Sequence, residues 1–574
     1  MKAFSFPILA TGSWVPGLLN HEITPSAGAP NGTMVSSFKE LTASAKLEWT
    51  PCYENFTCAL LEVPLDYSNV SIGTLNLAVI KKPGDTEDAQ EVLVNPGGPG
   101  GSSVDMVLGD YQAIYDKIGT QYSLVGIDPR GIKNSEPASD CFPPEMYSYI
   151  TRNAFFTEVF TPADVTSDYA LRESHQNILA YGRWCSGIYS INGTARYAST
   201  VATAQDMLHY IELQAESKGK KKEEAKLWYY GISYGSILGP TFASLFPDRV
   251  GRMIIDGVLE LEDYYNGGWE KAIVDSDKAA RYFFKHCFEA GPNLCFFHQN
   301  ASSWEEIEQR YWNLLHGLKE APLGLGDPLS NASLSLAEQG TILTPYVLTW
   351  RDIVNQMFST SYILSSINVV FMDVILLGLQ TRSSEILASL SPKSQISSMR
   401  PNYDDRMSRA LVACLDSNRR ANYTDFHDYK GFINYMSNAS IYAGLNVATF
   451  SGPICSQLNL SPPENQTFDG IPRVDGTSTP ILFVSSIADP VTPLASAKKM
   501  QGLFPGSGLL TFNNSGHCAH FQKTECVTKY EKQYMIDGTL PPANTECDVD
   551  EPNPWISLAK QLNVTSLDPS ILGL

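Results

Sequence analysis

The stretch Tyr229-Tyr230-Gly231-Ile232-Ser233-Tyr234-Gly235-Ser236 decides the fold, because it sets a serine between two glycines in the pattern G-x-S-x-G. The apolar run 227–230 before it predicts a strand, and the small residues of 236–246 after it predict a helix. A strand that turns sharply into a helix strains the serine backbone and exposes its hydroxyl, and the flanking glycines let the two segments pass closely. The context predicts a nucleophile at Ser233, although five residues alone also fit an ordinary strand-to-helix turn.

Further strands and helices are predicted on both sides of this motif. Short apolar runs punctuated by proline and glycine predict strands at 59–63, 75–80, 91–95, 122–128, 252–256, 480–484 and 508–512. Helical periodicity is found at 203–214, 278–290, 304–318 and 362–380. Strands that alternate with helices indicate a mainly parallel α/β sheet flanked by helices. We expect a leader or signal and a flexible arm over 1–45, a core over 46–258, a helical cap insertion over 259–455 and a second core part over 456–574.

A nucleophilic serine needs a base and an orienting acid, and both have candidates later in the chain. Asp489 follows the predicted strand 480–484 after a short loop, and His517 follows the strand 508–512. The order serine, aspartate, histidine is the one that an α/β sheet with a nucleophile elbow requires. The predicted insertion accounts for the long gap between Ser233 and Asp489. His520 is the competing base and ranks second, because it lies three residues further along, towards a predicted helix.

An oxyanion site is predicted at Asn95-Pro96-Gly97-Gly98-Pro99-Gly100-Gly101-Ser102, directly after the strand 91–95. Glycines leave backbone N–H groups open to approach, so the N–H of Gly98 together with that of Tyr234 would hold a tetrahedral oxyanion. A phosphate-binding loop is the alternative for such a sequence. It is rejected because no Lys-Ser/Thr pair follows and the spacing is not G-x-G-x-x-G.

Composition narrows the class of protein and its surroundings. The 574 residues carry a net charge of −20, which argues against a nucleic-acid partner, and no apolar run is long enough to span a membrane. Eleven cysteines without C-x-x-C spacing and twelve N-x-S/T sequons favour an oxidising secretory compartment. Lys2 followed by apolar residues 3–10 resembles a short signal peptide, although Pro7 interrupts it. The sequons lie at Asn31, Asn55, Asn69, Asn192, Asn300, Asn331, Asn422, Asn438, Asn459, Asn465, Asn513 and Asn563.

From about residue 48 to about 550, the chain resembles the α/β-hydrolase serine peptidases of the proline iminopeptidase and tripeptidyl aminopeptidase type. The resemblance is carried by residues 95–102, Gly126-Ile127-Asp128-Pro129-Arg130-Gly131, residues 230–236, Met253-Ile254-Ile255-Asp256-Gly257, Ala488-Asp489-Pro490-Val491-Thr492-Pro493, Ser515-Gly516-His517 and residues 534–541. It implies an α/β-hydrolase fold and a secreted exopeptidase that removes residues or short peptides from free N-termini, without a metal or organic cofactor. An esterase of a small secreted metabolite would use the same triad, and a non-catalytic binding protein is the other alternative.

The resemblance also implies roles for residues outside the triad. A cap that binds the substrate ammonium needs carboxylates, and Glu262, Asp263 and Glu270 begin the insertion as candidates only, because a solvated acidic face is the commoner explanation for each. The family pattern implies the bridges Cys52–Cys58, Cys141–Cys185, Cys287–Cys295, Cys414–Cys455 and Cys526–Cys547. Cys518 is then left without a partner beside His517, either as an inert packed thiol or as a point of sensitivity to thiol reagents.

Overall fold

A ten-stranded sheet forms the centre of the chain in the computed structural model, which describes residues 34–142, 159–325, 346–383, 386–387, 403, 405–450 and 452–568. The strand order is β1-β2-β3-β5-β4-β6-β7-β10-β11-β12. The first three pairs are antiparallel, and every pair from β5–β4 onward is parallel. The mainly parallel sheet is thereby confirmed. The strands, with the separate pair β8–β9, are β1 Thr50–Cys52, β2 Phe56–Pro64, β3 Thr74–Lys82, β4 Glu91–Asn95, β5 Ser123–Ile127, β6 Leu227–Ile232, β7 Val250–Asp256, β8 Leu323–Leu325, β9 Tyr346–Leu348, β10 Leu482–Ala488, β11 Gly508–Ser515 and β12 Glu546–Asp548.

Helices pack on both faces of the sheet, and helices also make up much of the described part of the segment between β7 and β10. Two apolar clusters line the sheet, one on each face, because alternate side chains of a strand point to opposite sides. The helices are α1 Ser103–Ile118, α2 Asp168–Asn192, α3 Thr200–Ser217, α4 Gly235–Leu245, α5 Leu261–Asn266, α6 Ser276–Ala290, α7 Trp304–Glu320, α8 Trp350–Tyr362, α9 Ser366–Thr381, α10 Asp405–Ser417, α11 Phe426–Ala439, α12 Gly444–Ala448, α13 Gly452–Gln457, α14 Leu494–Leu503, α15 Glu525–Asp537 and α16 Pro554–Leu562.

The predicted helix over 362–380 is confirmed except at its start, since the chain breaks after α8 and α9 begins at Ser366. Ile363 is extended, with φ −126°, and its carbonyl accepts a hydrogen bond from Asn368 Nδ2 at 2.9 Å. Ser365 caps α9 by accepting from the Asn368 N–H. A serine cap inside an apolar run therefore starts a new helix and leaves Tyr362 at the end of the previous one.

The inserted helices have an apolar cluster of their own. Residues of α6 to α9 pack together around Phe284, Tyr311 and Met357, and the C-terminal helix α16 adds Trp555 to the same cluster. Trp555 Nε1 also donates to Asp373 Oδ2 at 3.1 Å in α9. Helices α10 to α13, in contrast, pack with the core cluster beside α2 and α3. The cap boundaries at 259 and 455 stay a prediction, and packing contacts cross the second of them.

The predicted disulfide pairing is confirmed at all five bridges, Cys52–Cys58, Cys141–Cys185, Cys287–Cys295, Cys414–Cys455 and Cys526–Cys547. Residues 34–45 were predicted as part of a flexible arm, but they contact the sheet. Val35 forms an isolated backbone β-bridge with Cys52, Ser44 forms another with Leu61, and the Phe38 side chain is buried. The predicted signal segment lies outside the described residues. Across the ranges that the structure describes, no helix combines the length and apolar character needed to traverse a bilayer.

Candidate active site

The predicted nucleophile elbow is present at the end of β6. Ser233 has a left-handed backbone, with φ +57°, and is 8% exposed. Its N–H donates to the Asp256 carbonyl at 2.9 Å, so the turn is held against β7. The Tyr229 side chain fills the space beside the turn. A Cβ on Gly231 would lie 2.3 Å from the Tyr229 ring, and the Tyr229 hydroxyl donates to the Gly235 carbonyl at 3.1 Å. Gly231 is thus required by a close approach, whereas a Cβ on Gly235 would meet the Asn95 carbonyl oxygen at 3.1 Å, a tight contact.

The candidate base and acid form a buried pair at the carboxyl ends of β10 and β11. His517 Nδ1 lies 3.1 Å from Asp489 Oδ1 and 3.0 Å from Oδ2, and both side chains are shielded from solvent. The backbone N–H groups of Val491 and Thr492 donate to Oδ1 at 2.9 and 2.8 Å, and that of Cys518 donates to Oδ2 at 3.2 Å. These donors fix the carboxylate in place, and the carboxylate fixes the orientation of the imidazole.

The competing histidine takes part in a different contact. His520 Nε2 lies 2.6 Å from Asp110 Oδ2 of α1, whereas His517 faces Asp489. The loop that carries both histidines is held by Asp256, whose carboxylate accepts the N–H groups of Ala519 and His520 at 2.8 and 2.7 Å. The geometry favours His517 as the base.

The glycine loop after β4 lies directly against the elbow. A Cβ on Gly97 would lie 2.7 Å from Ser233 Cβ and 2.9 Å from the Tyr234 nitrogen, so only glycine fits there. The Gly97 N–H is occupied, since it donates to Asn95 Oδ1 at 3.0 Å. Within the described ranges, the N–H groups of Gly98 and Tyr234 donate to no protein acceptor. This is the state expected of two donors kept for an oxyanion.

Comparison with known proteins places this geometry in a family. A family model of the alpha/beta hydrolase fold matches residues 91–331, and a model of the TAP-like protein family matches residues 445–547. The chain has the α/β-hydrolase fold. It is a serine hydrolase with a TAP-like C-terminal region, as the resemblance in the sequence implied.

Curated relatives of this α/β-hydrolase are similar over most of their length. "Serine protease Hip1" of Mycobacterium tuberculosis is 26% identical over 528 residues, covering 87% of this chain and 91% of its own. "Tripeptidyl aminopeptidase" of Streptomyces lividans is 24% identical over 523 residues, covering 88% and 87%. "Carboxylesterase B" of Mycobacterium tuberculosis is 26% identical over 555 residues, covering 93% and 94%.

Two side chains of the α/β-hydrolase site were missed in the sequence. Thr492 Oγ1 lies 3.1 Å from His517 Nδ1, on the loop that also carries Asp489. Tyr362, at the end of the inserted helix α8, packs its ring on the imidazole with 4.3 Å between ring centroids. Among the described residues the buried Nε2 of His517 has no hydrogen-bond partner, so the bond to Ser233 is not formed in this structure. Such bonds are often long before substrate binds. A pattern of strand ends and motifs carries no signal for Tyr362, because it comes from a helix of the insertion.

The three acidic candidates occupy different surroundings. Glu262 is paired with Lys499 Nζ at 2.8 Å, together with Glu260. Asp263 accepts the N–H groups of Glu270 and Lys271 at 3.1 and 3.0 Å, and burial raises its pKa to about 7, helped by the charges of Glu260 and Glu270. Asp263 and Glu270 therefore form a cluster with surplus negative charge, while Glu262 shares the positive charge of Lys499 with Glu260.

Buried polar networks support the loops of the site. Asp128 accepts from Ser102 Oγ at 2.7 Å and from the Val104 N–H at 3.0 Å, which fixes the start of α1 behind the glycine loop. Arg130 in the same motif forms a two-pronged ion pair with Asp206, with both contacts at 2.7 Å. The sequence motif was recognised, but these partners are distant in the chain and carry no sequence signal.

A second network lies behind Tyr234. Its hydroxyl is 2.5 Å from Thr200 Oγ1, and Thr200 in turn bonds Asp416 through its N–H at 2.8 Å. The Tyr264 hydroxyl donates to the same carboxylate at 2.8 Å, and burial raises the pKa of Asp416 to about 6. The residue whose N–H is a candidate oxyanion donor is thereby anchored by its own side chain.

Cys518 lies beside the base with a backbone φ of +63° and makes no disulfide. Burial raises the pKa of its thiol well above the usual range, and the charges of Asp256 and Asp489 act in the same direction. Asp489, His517 and Cys518 each offer a ligand atom within 4.8 Å of the others, which is the spacing of a metal site. A metal ligand would have to be a thiolate, whereas the Cys518 thiol stays protonated. The Asp489 carboxylate is already hydrogen-bonded to the imidazole and to backbone N–H groups, so the cluster fits a hydrogen-bonded Asp489–His517 pair better than a metal centre.

Proposed function

We propose that this α/β-hydrolase is a secreted serine exopeptidase that releases residues or short peptides from free N-termini. The observation that carries the proposal is the buried pair His517–Asp489, 3.0 Å apart, at the same end of the sheet as the strained Ser233. A serine, a base and an orienting acid in this chain order are the parts of acyl transfer.

The mechanism follows from these groups. Ser233 Oγ attacks the scissile carbonyl carbon while its proton passes to His517 Nε2, and Asp489 stabilises the imidazolium through Nδ1–H. The N–H groups of Gly98 and Tyr234 hold the negative oxygen of the tetrahedral intermediate, each such donor lowering the barrier by roughly 3 kcal/mol. The imidazolium then protonates the leaving amine, the C–N bond breaks, and water deacylates Ser233 with His517 again as the base.

Removal of the Ser233 hydroxyl tests the reaction directly. Ser233→Ala should abolish hydrolysis of tripeptidyl-coumarin amides while the melting temperature stays near that of the wild type. Ser244→Ala is the matched control, because Ser244 lies on the same helix α4 and bonds the Pro240 carbonyl, outside the site. Full activity of purified Ser233→Ala would end the proposal.

Selectivity for a free N-terminus is assigned to Asp263 and Glu270. Uncompensated carboxylates in a partly buried place attract an ammonium group. Burial, helped by the charges of Glu260 and Glu270, raises the pKa of Asp263 to about 7, and a bound cation would relieve that charge repulsion. The Streptomyces lividans relative named tripeptidyl aminopeptidase supports this substrate class. The double variant Asp263→Asn/Glu270→Gln should raise KM for free peptides with little change in kcat, whereas Glu262→Gln should leave KM unchanged. Equal rates on N-acetylated and free peptides would refute the assignment.

Passage through the secretory pathway is supported by the five disulfides and by the sequons. All nine sequon asparagines whose side chains the structure describes are exposed: Asn55, Asn69, Asn300, Asn422, Asn438, Asn459, Asn465, Asn513 and Asn563. Disulfides and glycans are acquired in that pathway. Protein secreted from a eukaryotic host should lose mass on treatment with peptide N-glycosidase, and an unchanged mass would remove this support.

An esterase is the second candidate, because the relative named carboxylesterase B is also 26% identical. Ester and amide hydrolysis share the triad, so the distinction is one of rate. Matched substrates with the same acyl group, one a coumarin amide and one a coumarin ester, separate the two. We expect kcat/KM for tripeptidyl amides to exceed that for simple acyl esters; the reverse order would favour the esterase.

A further inference from the structure

We infer that Tyr362, the last residue of the inserted helix α8, is a positioning residue that fixes the orientation of His517 beside Ser233. The inference rests on the proposed acyl-transfer function and adds to it a contribution from outside the hydrolase core. It implies that the insertion completes the catalytic site and does more than cover it.

Two contacts tie Tyr362 to the candidate base. The ring lies against the imidazole, with 4.3 Å between centroids and 48° between planes. The Tyr362 backbone carbonyl accepts the His517 N–H at 2.8 Å. The same residue thus fixes both the backbone and the ring of the histidine, in addition to the Asp489 contact at Nδ1.

A third contact concerns the nucleophile. Burial holds the pKa of the Tyr362 hydroxyl well above its usual range, and hydrogen bonding with the Ser233 side chain acts more weakly in the opposite direction. The phenol therefore stays protonated at neutral pH. A neutral hydroxyl beside Ser233 orients the serine side chain without adding charge to the site.

The break between α8 and α9 explains why Tyr362 reaches the site. The chain turns at the extended Ile363, whose carbonyl is held by Asn368 Nδ2, and α9 starts at its Ser365 cap. The tyrosine is consequently fixed by a helix end on one side and a capped helix start on the other. A shift of these helices would move the imidazole through the carbonyl contact.

The aromatic face also affects the charge on the base. An aromatic ring over a cation stabilises it, so Tyr362 favours the imidazolium that forms during the reaction. Among the described residues, the other titratable groups near the imidazole include Asp489 at Nδ1 and Cys518 in its own loop, with Asp256 behind that thiol. Asp275 interacts with Asp489 through its charge, and Arg409 of α10 acts on the Tyr362 hydroxyl. These groups are the same in all the variants below, so a change in the pH profile reports the ring.

Two variants separate the hydroxyl from the ring. Tyr362→Phe keeps the ring and should lower kcat on a tripeptidyl-coumarin amide by roughly three- to tenfold, with KM and the acid limb of kcat/KM unchanged. Tyr362→Leu keeps an apolar side chain without an aromatic face. It should lower kcat further and move the acid limb to lower pH by roughly half a unit, because the imidazolium loses its partner.

Tyr311→Phe is the matched control, since Tyr311 is a buried tyrosine of the same insertion whose hydroxyl has no partner among the described residues. It should behave as the wild type. Melting curves of all variants report folding, and if Tyr362→Leu fails to fold, the Phe variant still tests the hydroxyl. Wild-type kcat and pH profile in the folded Tyr362 variants, or a change in KM alone, would overturn the inference. Activity in Ser233→Ala would instead overturn the proposed function.

Discussion

Replacing Asp489 with Asn tests the geometry of the base most stringently. In the wild type every carboxylate oxygen faces donors: Oδ1 accepts two backbone N–H groups at 2.9 and 2.8 Å, and Oδ2 accepts a third at 3.2 Å. His517 Nδ1–H is the remaining donor, within 3.1 Å of both oxygens. The amide NH₂ of asparagine donates a hydrogen bond to Nδ1, which favours the tautomer in which Nδ1 is unprotonated and Nε2 carries the proton. His517 then cannot take the proton of Ser233.

The expected loss is about 10³- to 10⁴-fold in kcat, since loss of the correct tautomer in a buried triad has effects of this size. At about 1.36 kcal/mol per tenfold, this corresponds to about 4 to 5.5 kcal/mol of transition-state stabilisation. The assay is kcat on a tripeptidyl-coumarin amide, with melting curves as a check on folding. Asp275→Asn is the matched control. Its charge interacts with that of Asp489, but the side chains that contact His517 Nδ1 are those of Asp489 and Thr492. A loss below tenfold in folded Asp489→Asn would refute the reasoning.

Three further outcomes follow from buried groups. Asp206→Asn removes the carboxylate that pairs with the buried Arg130 guanidinium, so the free energy of unfolding in urea should fall by about 3 kcal/mol or more. Asp105→Asn, in the more exposed pair with Lys133, is the control and should lower it by at most about 1 kcal/mol. Burial raises the pKa of Glu531 to about 8, so the folded state binds the proton more tightly than the unfolded state. The free energy of unfolding should therefore fall as the pH rises from about 4.5 to 8. Urea unfolding at several pH values should show this slope in the wild type and a flatter slope in Glu531→Gln. Iodoacetamide at pH 8 should leave activity unchanged, because burial holds the pKa of the Cys518 thiol well above 9, and rapid inactivation with alkylated Cys518 in a peptide map would contradict this.

The parts of the fold that the sequence predicted are those in which local pattern and tertiary role agree. Strand β4 was predicted with its observed bounds, and the φ of +57° at Ser233 agrees with the strained backbone predicted from the sharp strand-to-helix turn. His517 and Asp489 could be found because each follows a strand of a parallel sheet, where the carboxyl ends of neighbouring strands converge. The disulfide pairing came from the family resemblance and could not have come from spacing alone.

The parts that could not be predicted depend on contacts between distant segments. Tyr362 reaches the base only because Ser365 starts a new helix inside an apolar run that reads as one helix. The pairing of Arg130 with Asp206 joins residues 76 positions apart. The opposite situations of Glu262 and Asp263, one paired with Lys499 and one crowded by carboxylates, are decided by where the helix α5 packs. Periodicity and motifs describe one segment at a time and contain none of these relations.

Labelling of the folded protein with a fluorophosphonate probe, followed by peptide mapping, tests the central claim most directly. A single phosphonyl adduct on Ser233 is predicted, with labelling lost in Ser233→Ala and slowed at least a hundredfold in His517→Ala. An adduct on another residue, or unchanged labelling of Ser233→Ala, would contradict the account.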